Sequence, residues 1–448
     1  MLLEFKTKNF KTFADEIVFS MIPAHKIQDL KYSILKQKID NKEYRALSSA
    51  VIYGPNASGK TNIVSVMEVL KSIVQNGNIN NESSIVNTPN EAVRKLELIP
   101  NVNNKTVTPV EFSIKFIENG IVFSYELKID LGEFLNEGYN RKIVSEKLYI
   151  NEKTIFNRGE SVEIDNISTI ENYLINDFNR TVSEKMAKSN LNGRELFLTN
   201  MFKLLFSSEL SGIIVNWFKE KFVCVYQSDR LRVGLVANGH PNKRTDENIA
   251  VTNDILNKAI KHFGINSNAI AYLSKDNETV SPYSILQISK TKSMAIPVEN
   301  YESYGTERFI NMFPLVLKAL ETGSTLVMDE FDASIHPMAI MSIIGIFHND
   351  EINTNRAQLI FNTHNPIFLN KNLFRRDEIK FIERDDETGH SAHYSLSSFK
   401  TSGPAGVRNT DDYMKDYFVN QYGSIRNIDF SDIAKTYMLE QKPDETGV

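Results

Sequence analysis

Eight residues, Gly54-Pro55-Asn56-Ala57-Ser58-Gly59-Lys60-Thr61, constrain this chain more than any other stretch, because their spacing is G-x-x-x-x-G-K-[ST] and their two flanks differ in kind. Before them lies a short, mostly apolar run, Ser49-Ala50-Val51-Ile52-Tyr53. After them Ile63, Val66, Met67, Leu70 and Val74 recur at helical spacing. Strand, glycine-containing loop and helix therefore follow one another in the order a phosphate-binding loop needs. In that geometry the loop's N–H groups and the helix N-terminus face a polyphosphate, with Gly54, Asn56, Ala57, Ser58, Gly59 and Asn62 around it. Lys60 reaches the β and γ oxygens, Thr61 supplies a hydroxyl to Mg²⁺, and the glycines at 54 and 59 let the backbone curl closely around the anion. The spacing alone would arise in on the order of one random chain of this length in a hundred. The strand before it and the helix after it lower that figure further.

Length and composition set wide bounds. A chain of 448 residues exceeds the size at which one core keeps growing, so two lobes or domains are expected. Its hydrophobic content of 41% and charged content of 24% are those of a folded, soluble protein. No run of eighteen apolar residues offers a membrane span. Glu4 and Lys6 interrupt the opening Met1-Leu2-Leu3-Glu4-Phe5-Lys6, which argues against a secretion signal. A single cysteine, Cys224, excludes an internal disulfide framework and fits a reducing cytosol, so a cytoplasmic setting is expected. Between Val223 and Val225 it reads as a buried strand residue. The formal net charge of −5 gives no global attraction to nucleic acid and leaves room only for local basic patches.

The hydrophobic periodicity divides the chain into three regions. Residues 1 to about 25 alternate as a strand pair around Asn9-Phe10-Lys11-Thr12-Phe13, and the phosphate loop and its helix follow, to about Val74. The Asn-rich Asn76 to Asn81 reads as a loop, and strand patterns run from Val110 to about Glu163, forming a sheet beside the nucleotide lobe. Ile167 to about Phe218 reads as helical, the core of an insertion spanning 166–280 that would act as a lid or arm. Within it the turn-rich Ala237 to Arg244 is expected to be a mobile loop. A helix is expected from about Thr306 to Leu320, capped by Gly323, and then a βαβ unit: Thr325–Met328, a helix from about Pro337 to Phe347, and Gln358–Phe361. Its near-continuous apolar strands suit a parallel sheet covered on both faces.

The chemistry clusters at strand ends. Asp329-Glu330 follows directly on the strand ending at Met328, at the carboxyl edge where α/β sheets bind ligands. There Asp329 would hold Mg²⁺, directly or through water, while Glu330 orients and deprotonates an attacking water. His364 follows the second strand in the same way. A neutral imidazole there donates a hydrogen bond to a γ-phosphate and reports its presence. Ser303 and Gly305 precede the apolar helix and form a second helix N-terminus able to receive an anion, although Ser-x-Gly in that position is more often only a cap.

Together these pieces resemble the ATP-binding-cassette ATPases of the SMC/RecF/OLD type. The matching elements are Gly54 to Thr61, Ser303 to Thr306, Asp329-Glu330, the D-loop-like Asp332-Ala333-Ser334-Ile335-His336-Pro337, and His364. Lys8-Asn9-Phe10-Lys11-Thr12-Phe13 also looks like the family's first hairpin, whose residues lie near the adenine. The resemblance implies an α/β fold: a P-loop ABC-type ATPase head with a mixed or parallel sheet, an antiparallel β lobe and a helical insertion. It also implies that Ser303 of one subunit closes over the nucleotide held by the phosphate loop of another. The signature reads Glu-Ser-Tyr-Gly-Thr instead of Leu-Ser-Gly-Gly-Gln, which fits the RecF/OLD-like branch better than transporter cassettes. No glutamine is assigned to the family's Q-loop. On this basis residues 1–165 and 281–448 are expected to form the two parts of the head.

More narrowly, Leu373 to Ile379, Tyr394-Ser395-Leu396 and Gln421 to Ile425 look like the C-terminal pattern of bacterial abortive-infection ATPases of the AbiL and RloA kind. Such ATPases act with a separately encoded TOPRIM-type nuclease. Nothing resembling a fused TOPRIM domain follows residue 400, so the effector is expected to be another chain. The expectation is a cytosolic ATPase using ATP and Mg²⁺, with Lys60, Glu330 and His364 catalytic and Thr61 and Asp329 at the metal. It would form a homodimer or higher homo-oligomer around ATP and regulate an effector in antiphage defence, with a phage protein as trigger. One alternative is a repair or recombination ATPase that grips DNA through Lys219, Lys221, Lys243, Arg244, Arg375 and Arg376. The other is a scaffold held together by ATP that turns over only when triggered.

Overall fold

The computed structural model describes residues 1–25, 27, 30–80, 98–103, 107–132, 139–226, 244–245, 248–252, 254–264, 269–275, 279–401, 406–408, 410–425 and 429–440. Its centre is a six-stranded sheet built from segments far apart in sequence. The members are β5 (Ser49–Tyr53), β11 (Phe222–Val225), β17 (Thr325–Met328), β18 (Gln358–Asn362), β19 (Ile379–Arg384) and β20 (Ser391–Ser395). They lie in the order β11-β17-β18-β5-β19-β20, with every pair parallel except the β19–β20 hairpin.

The apolar character of these strands follows from their two covered faces. Along β5, Ala50 and Ile52 enter the core shared with helix α1 (Lys60–Asn76), whereas Val51 and Tyr53 enter the core on the opposite face. Successive side chains point to opposite faces, so a strand sandwiched between two layers needs apolar residues at every position. The second face is covered by α2 (Tyr304–Thr322) and α3 (Pro337–His348), whose Phe309, Met312, Val316, Ile340 and Ile344 belong to that core. The expected βαβ unit is present as β17, α3 and β18.

Beside this sheet stands a seven-stranded antiparallel sheet. It contains β1 (Leu2–Lys8), β2 (Ile17–Ser20), β6 (Val110–Glu118), β7 (Ile121–Asp130), β8 (Lys142–Ile150), β9 (Lys153–Arg158) and β10 (Val162–Ile164). Their order is β10-β9-β8-β7-β6-β1-β2, and Phe112, Ile114, Phe116, Phe123, Tyr125 and Leu127 pack toward the same core as α1. Alternating burial along β6 and β7 matches the strand pattern read from 110 to 163. A short hairpin, β3 (Ile34–Ile39) with β4 (Lys42–Leu47), leads into β5.

The 166–280 region holds strands as well as helices. Helical turns and helices run from Ile167 to Lys221, but Phe222-Val223-Cys224-Val225 then forms the edge strand β11, parallel to β17. A continuous apolar run with two valines fits an extended strand in a covered sheet. Farther on, β12 (Arg244–Thr245), β13 (Asn248–Thr252), β14 (Ala269–Lys275), β15 (Thr279–Gln287) and β16 (Ser293–Pro297) make an antiparallel sheet, with the helix Asp254–Phe263 between β13 and β14. Most of the loop expected at Ala237 to Arg244, and Asn81 of the Asn-rich stretch, lie outside the described residues. Among the described residues no helix is long and apolar enough to cross a membrane.

Candidate functional site

Strand order decides what meets at the carboxyl edge of the central sheet. β18 lies between β5 and β17, with Asn362 opposite Ile52 and Phe361 opposite Met328. The phosphate loop leaving β5, the carboxylate pair leaving β17 and the histidine leaving β18 therefore emerge side by side, although up to 310 positions separate them in sequence.

The loop is shaped by close backbone approach. A Cβ on Gly54 would lie 2.3 Å from the Ile382 carbonyl oxygen of β19, so only glycine fits there without displacing the neighbouring strand. Gly59, at φ 108°, precedes α1 in a left-handed conformation, and a Cβ there would lie 2.8 Å from Thr12 Oγ1. Asn56 and Ala57 are exposed at the loop apex, with Ala57 also left-handed, while Ser58 is buried. Lys60 is 6% exposed, and its Nζ donates to the carbonyls of Gly54 at 2.7 Å and Pro55 at 2.9 Å. Burial lowers its pKa to about 8, and the charges of Asp329 and Glu330 oppose that shift. Asn62 points away from the loop apex and donates to Thr12 Oγ1 at 2.9 Å. Ser391 donates to the Ser58 carbonyl at 2.6 Å and its N–H to the Thr12 carbonyl at 2.8 Å. The tip of the first hairpin is thereby tied to the start of α1.

Thr61 Oγ1 donates to Asp329 Oδ1 at 3.0 Å, which fixes the loop against the end of β17. The same carboxylate oxygen accepts from Asn362 Nδ2 at 2.5 Å, and Asn362 Oδ1 accepts from the Glu330 N–H at 2.6 Å. Glu330 is exposed and has φ 49°, a left-handed conformation that costs a non-glycine residue about 1–2 kcal/mol. Its carbonyl accepts from Arg308 of α2. Asp332, one turn farther, has its pKa raised chiefly by burial, with a hydrogen bond from Thr363 opposing.

His364 is exposed at the end of β18. Partial burial lowers its pKa first and the Lys60 charge second, with Asp329 opposing. A pKa below the usual histidine value keeps the ring neutral near pH 7. The Ser303 hydroxyl caps α2, accepting from the Thr306 N–H at 3.2 Å. Gly305 packs against the loop after β17, where a Cβ would lie 2.2 Å from the Ser334 carbonyl oxygen.

Thr61, Asp329 and Glu330 are joined through hydrogen bonds that all pass through Asn362 or Asp329, and His364 feels the charges of both Lys60 and Asp329. Thr12 lies in the first-hairpin segment without a role assigned there, and Arg308, Asn362 and Ser391 carry no motif of their own. Of the last three, Asn362 left a trace in the sequence, a polar residue closing the apolar strand that ends in Phe361. Of the basic residues considered for DNA, those described are engaged with partners nearby in the fold. Arg375 is buried in a two-pronged contact with Asp377 at 2.9 and 2.8 Å, and Arg376 is buried with Nη1 on the Val407 carbonyl. Lys221 pairs with Glu118 at 2.6 Å, and Lys219 lies 3.5 Å from Glu220. These charges are held by local partners, the Lys243 position lies outside the described residues, and so does the side chain of Arg244.

A phosphate loop on β5, acidic residues two strands away on β17 and a polar strand end between them define the architecture of a P-loop ATPase. The chain belongs to the family described as "AAA domain, putative AbiEii toxin, Type IV TA system", whose profile matches residues 49–187 and 240–370, more than half of the chain. No curated protein matches it in sequence. Among solved structures, the SMC head domain from Thermotoga maritima aligns over 88% of this chain and 98% of that one, at 14% identity and a TM-score of 0.34.

Proposed function

We propose that this ATPase domain binds and hydrolyses ATP with Mg²⁺ in the manner of the SMC/RecF/OLD group, pairing head-to-tail so that each nucleotide lies between two subunits. The observation that carries the reading is the Thr61–Asp329 hydrogen bond, which joins the phosphate loop to the carboxylate strand beside Lys60 and His364. A hydroxyl and a carboxylate oxygen 3.0 Å apart suit a hard cation that takes its other ligands from phosphate and water. When bound there, Mg²⁺ supplies charge neutralisation for the β and γ phosphates.

The chain's own groups divide the remaining work. Lys60 places a positive charge against the phosphate oxygens. Glu330 accepts the proton of the attacking water, and His364 donates a hydrogen bond to the γ-phosphate. Ser303 acts on the nucleotide of the other subunit, for which its exposed position at the start of α2 is suited. Phosphoryl transfer of this kind depends on positioning and charge stabilisation, so a lone subunit should turn over slowly.

The biological setting we infer is antiphage defence, in which the ATPase holds or releases a separately encoded effector, a TOPRIM-type nuclease, in response to a phage protein. Support comes from the abortive-infection resemblance of the C-terminal third and from a family whose description names a toxin of a toxin–antitoxin system. Replacing Glu330 with glutamine tests the core of the reading. Glu330→Gln should bind ATP normally, lose turnover by at least about tenfold and accumulate as a dimer in light scattering with ATP. Wild-type turnover in that variant would overturn the assignment of the base.

A further inference from the structure

Two carboxylates with different tasks leave the same strand end in consecutive positions, and they need different orientations. Asp329 must turn toward Thr61, whereas Glu330 must project outward into solvent, and its left-handed backbone achieves that turn within one residue. A left-handed non-glycine residue is held by its surroundings, because its own preference is against it. At Glu330 the holding groups are Asn362, whose Oδ1 accepts the Glu330 N–H, and Arg308, which donates to the Glu330 carbonyl. Asn362 is 1% exposed, and its amide nitrogen is engaged with Asp329 at 2.5 Å. One side chain thus bridges the metal-side carboxylate and the peptide before Glu330, while a second, from α2, holds the carbonyl of the peptide after it.

We propose that Asn362 and Arg308 are positioning residues that clamp the two peptides flanking the Glu330 Cα and aim Asp329. Asn362 acts on both carboxylates, and Arg308 holds the Glu330 carbonyl. Because Arg308 sits in the helix capped by Ser303, the clamp also ties the signature end of α2 to the base of the same subunit. This inference rests on the ATPase reading of the site.

The test compares Asn362→Leu, Arg308→Met and Arg308→Lys with the wild type and with Glu330→Gln in the full chain. Affinity for a non-hydrolysable ATP analogue is measured by calorimetry with and without Mg²⁺, alongside steady-state turnover and thermal unfolding. Asn362→Leu should lower kcat by about tenfold or more, leave Mg²⁺-free affinity within about threefold and shrink the gain in affinity that Mg²⁺ gives. Arg308→Met should lower kcat without touching that gain, and Arg308→Lys, which keeps a donor, should recover part of the loss. A folded Asn362→Leu with kcat within about twofold of wild type overturns the proposal, as does a loss of Mg²⁺-free affinity as large as its loss of kcat. If Asn362→Leu fails to fold, the Arg308 pair decides, and equal kcat for Arg308→Met and Arg308→Lys overturns the clamp. Full turnover by Glu330→Gln would instead overturn the assignment of Glu330 as the base, and a wild type that neither binds nor hydrolyses ATP would overturn the ATPase reading beneath it.

Discussion

At the scale of single residues, the site is governed by backbone contacts that leave no room for a side chain. Gly305 is the clearest case, because a Cβ there would sit 2.2 Å from the Ser334 carbonyl oxygen, against backbone that cannot rotate away as a side chain could. Gly305→Ala must push the start of α2 and the loop after β17 apart. The expected cost is about 1–3 kcal/mol, read from urea unfolding, and it should come with reduced turnover because the same loop begins at Glu330. Unchanged stability would mean that the two segments do not touch in solution. The phosphate loop obeys the same rule at Gly54, where the obstructing atom is the Ile382 carbonyl.

At the scale of elements, the β19–β20 hairpin seals the edge of the central sheet against β2. His393 on β20 packs at a tilt against Phe19 of β2, with ring centroids 5.5 Å apart, and shares its face with Lys380 of β19. Burial, and then the Lys380 charge, lower the His393 pKa from 6.5 to about 3. A folded pKa below the unfolded one means that the unfolded chain takes up the proton first. Stability from this group is therefore complete above pH 6.5 and is lost as the pH falls toward 3. His393→Asn should flatten the fall in melting temperature across that window while lowering the neutral-pH value through lost ring packing. An unchanged slope would show that His393 is not the group responsible. Elements of this kind differ in how plainly the sequence announces them. The β5–loop–α1 unit and the β17–α3–β18 unit were readable because covered parallel strands are apolar throughout and helices repeat at 3.6 residues. β11 was legible as a strand around Cys224, but its place at the edge of the central sheet beside β17 was not, because that pairing joins residues about a hundred positions apart.

At the scale of the whole molecule, the decisive question is whether a nucleotide site is completed by a second copy. On the proposed reading, Lys60→Ala removes a phosphate contact and Ser303→Ala the hydroxyl that reaches the other subunit's nucleotide, the latter with a capping loss of about 1 kcal/mol. Each variant alone should be inactive. Mixed in equal amounts, half the dimers would be heterodimers with one intact composite site, so roughly a quarter of wild-type turnover should return. No recovery on mixing, with both variants folded, would place Ser303 and Lys60 in the same subunit's site or leave Ser303 without a catalytic part.

The sequence by itself determined the phosphate loop, the acidic strand end and the histidine strand end, because each is local: an apolar run, a turn and a few polar residues within a dozen positions. It also determined that the strands carrying them are covered on both faces. Only the tertiary structure decided their order, with β18 between β5 and β17, and so brought Thr61 to 3.0 Å from Asp329 across 268 positions. The residues that fix the geometry of that meeting, Asn362, Arg308, Thr12 and Ser391, act through long-range hydrogen bonds. Such bonds leave no periodicity or spacing in the chain, since their partners are chosen by the packing of the sheets and not by neighbours in sequence.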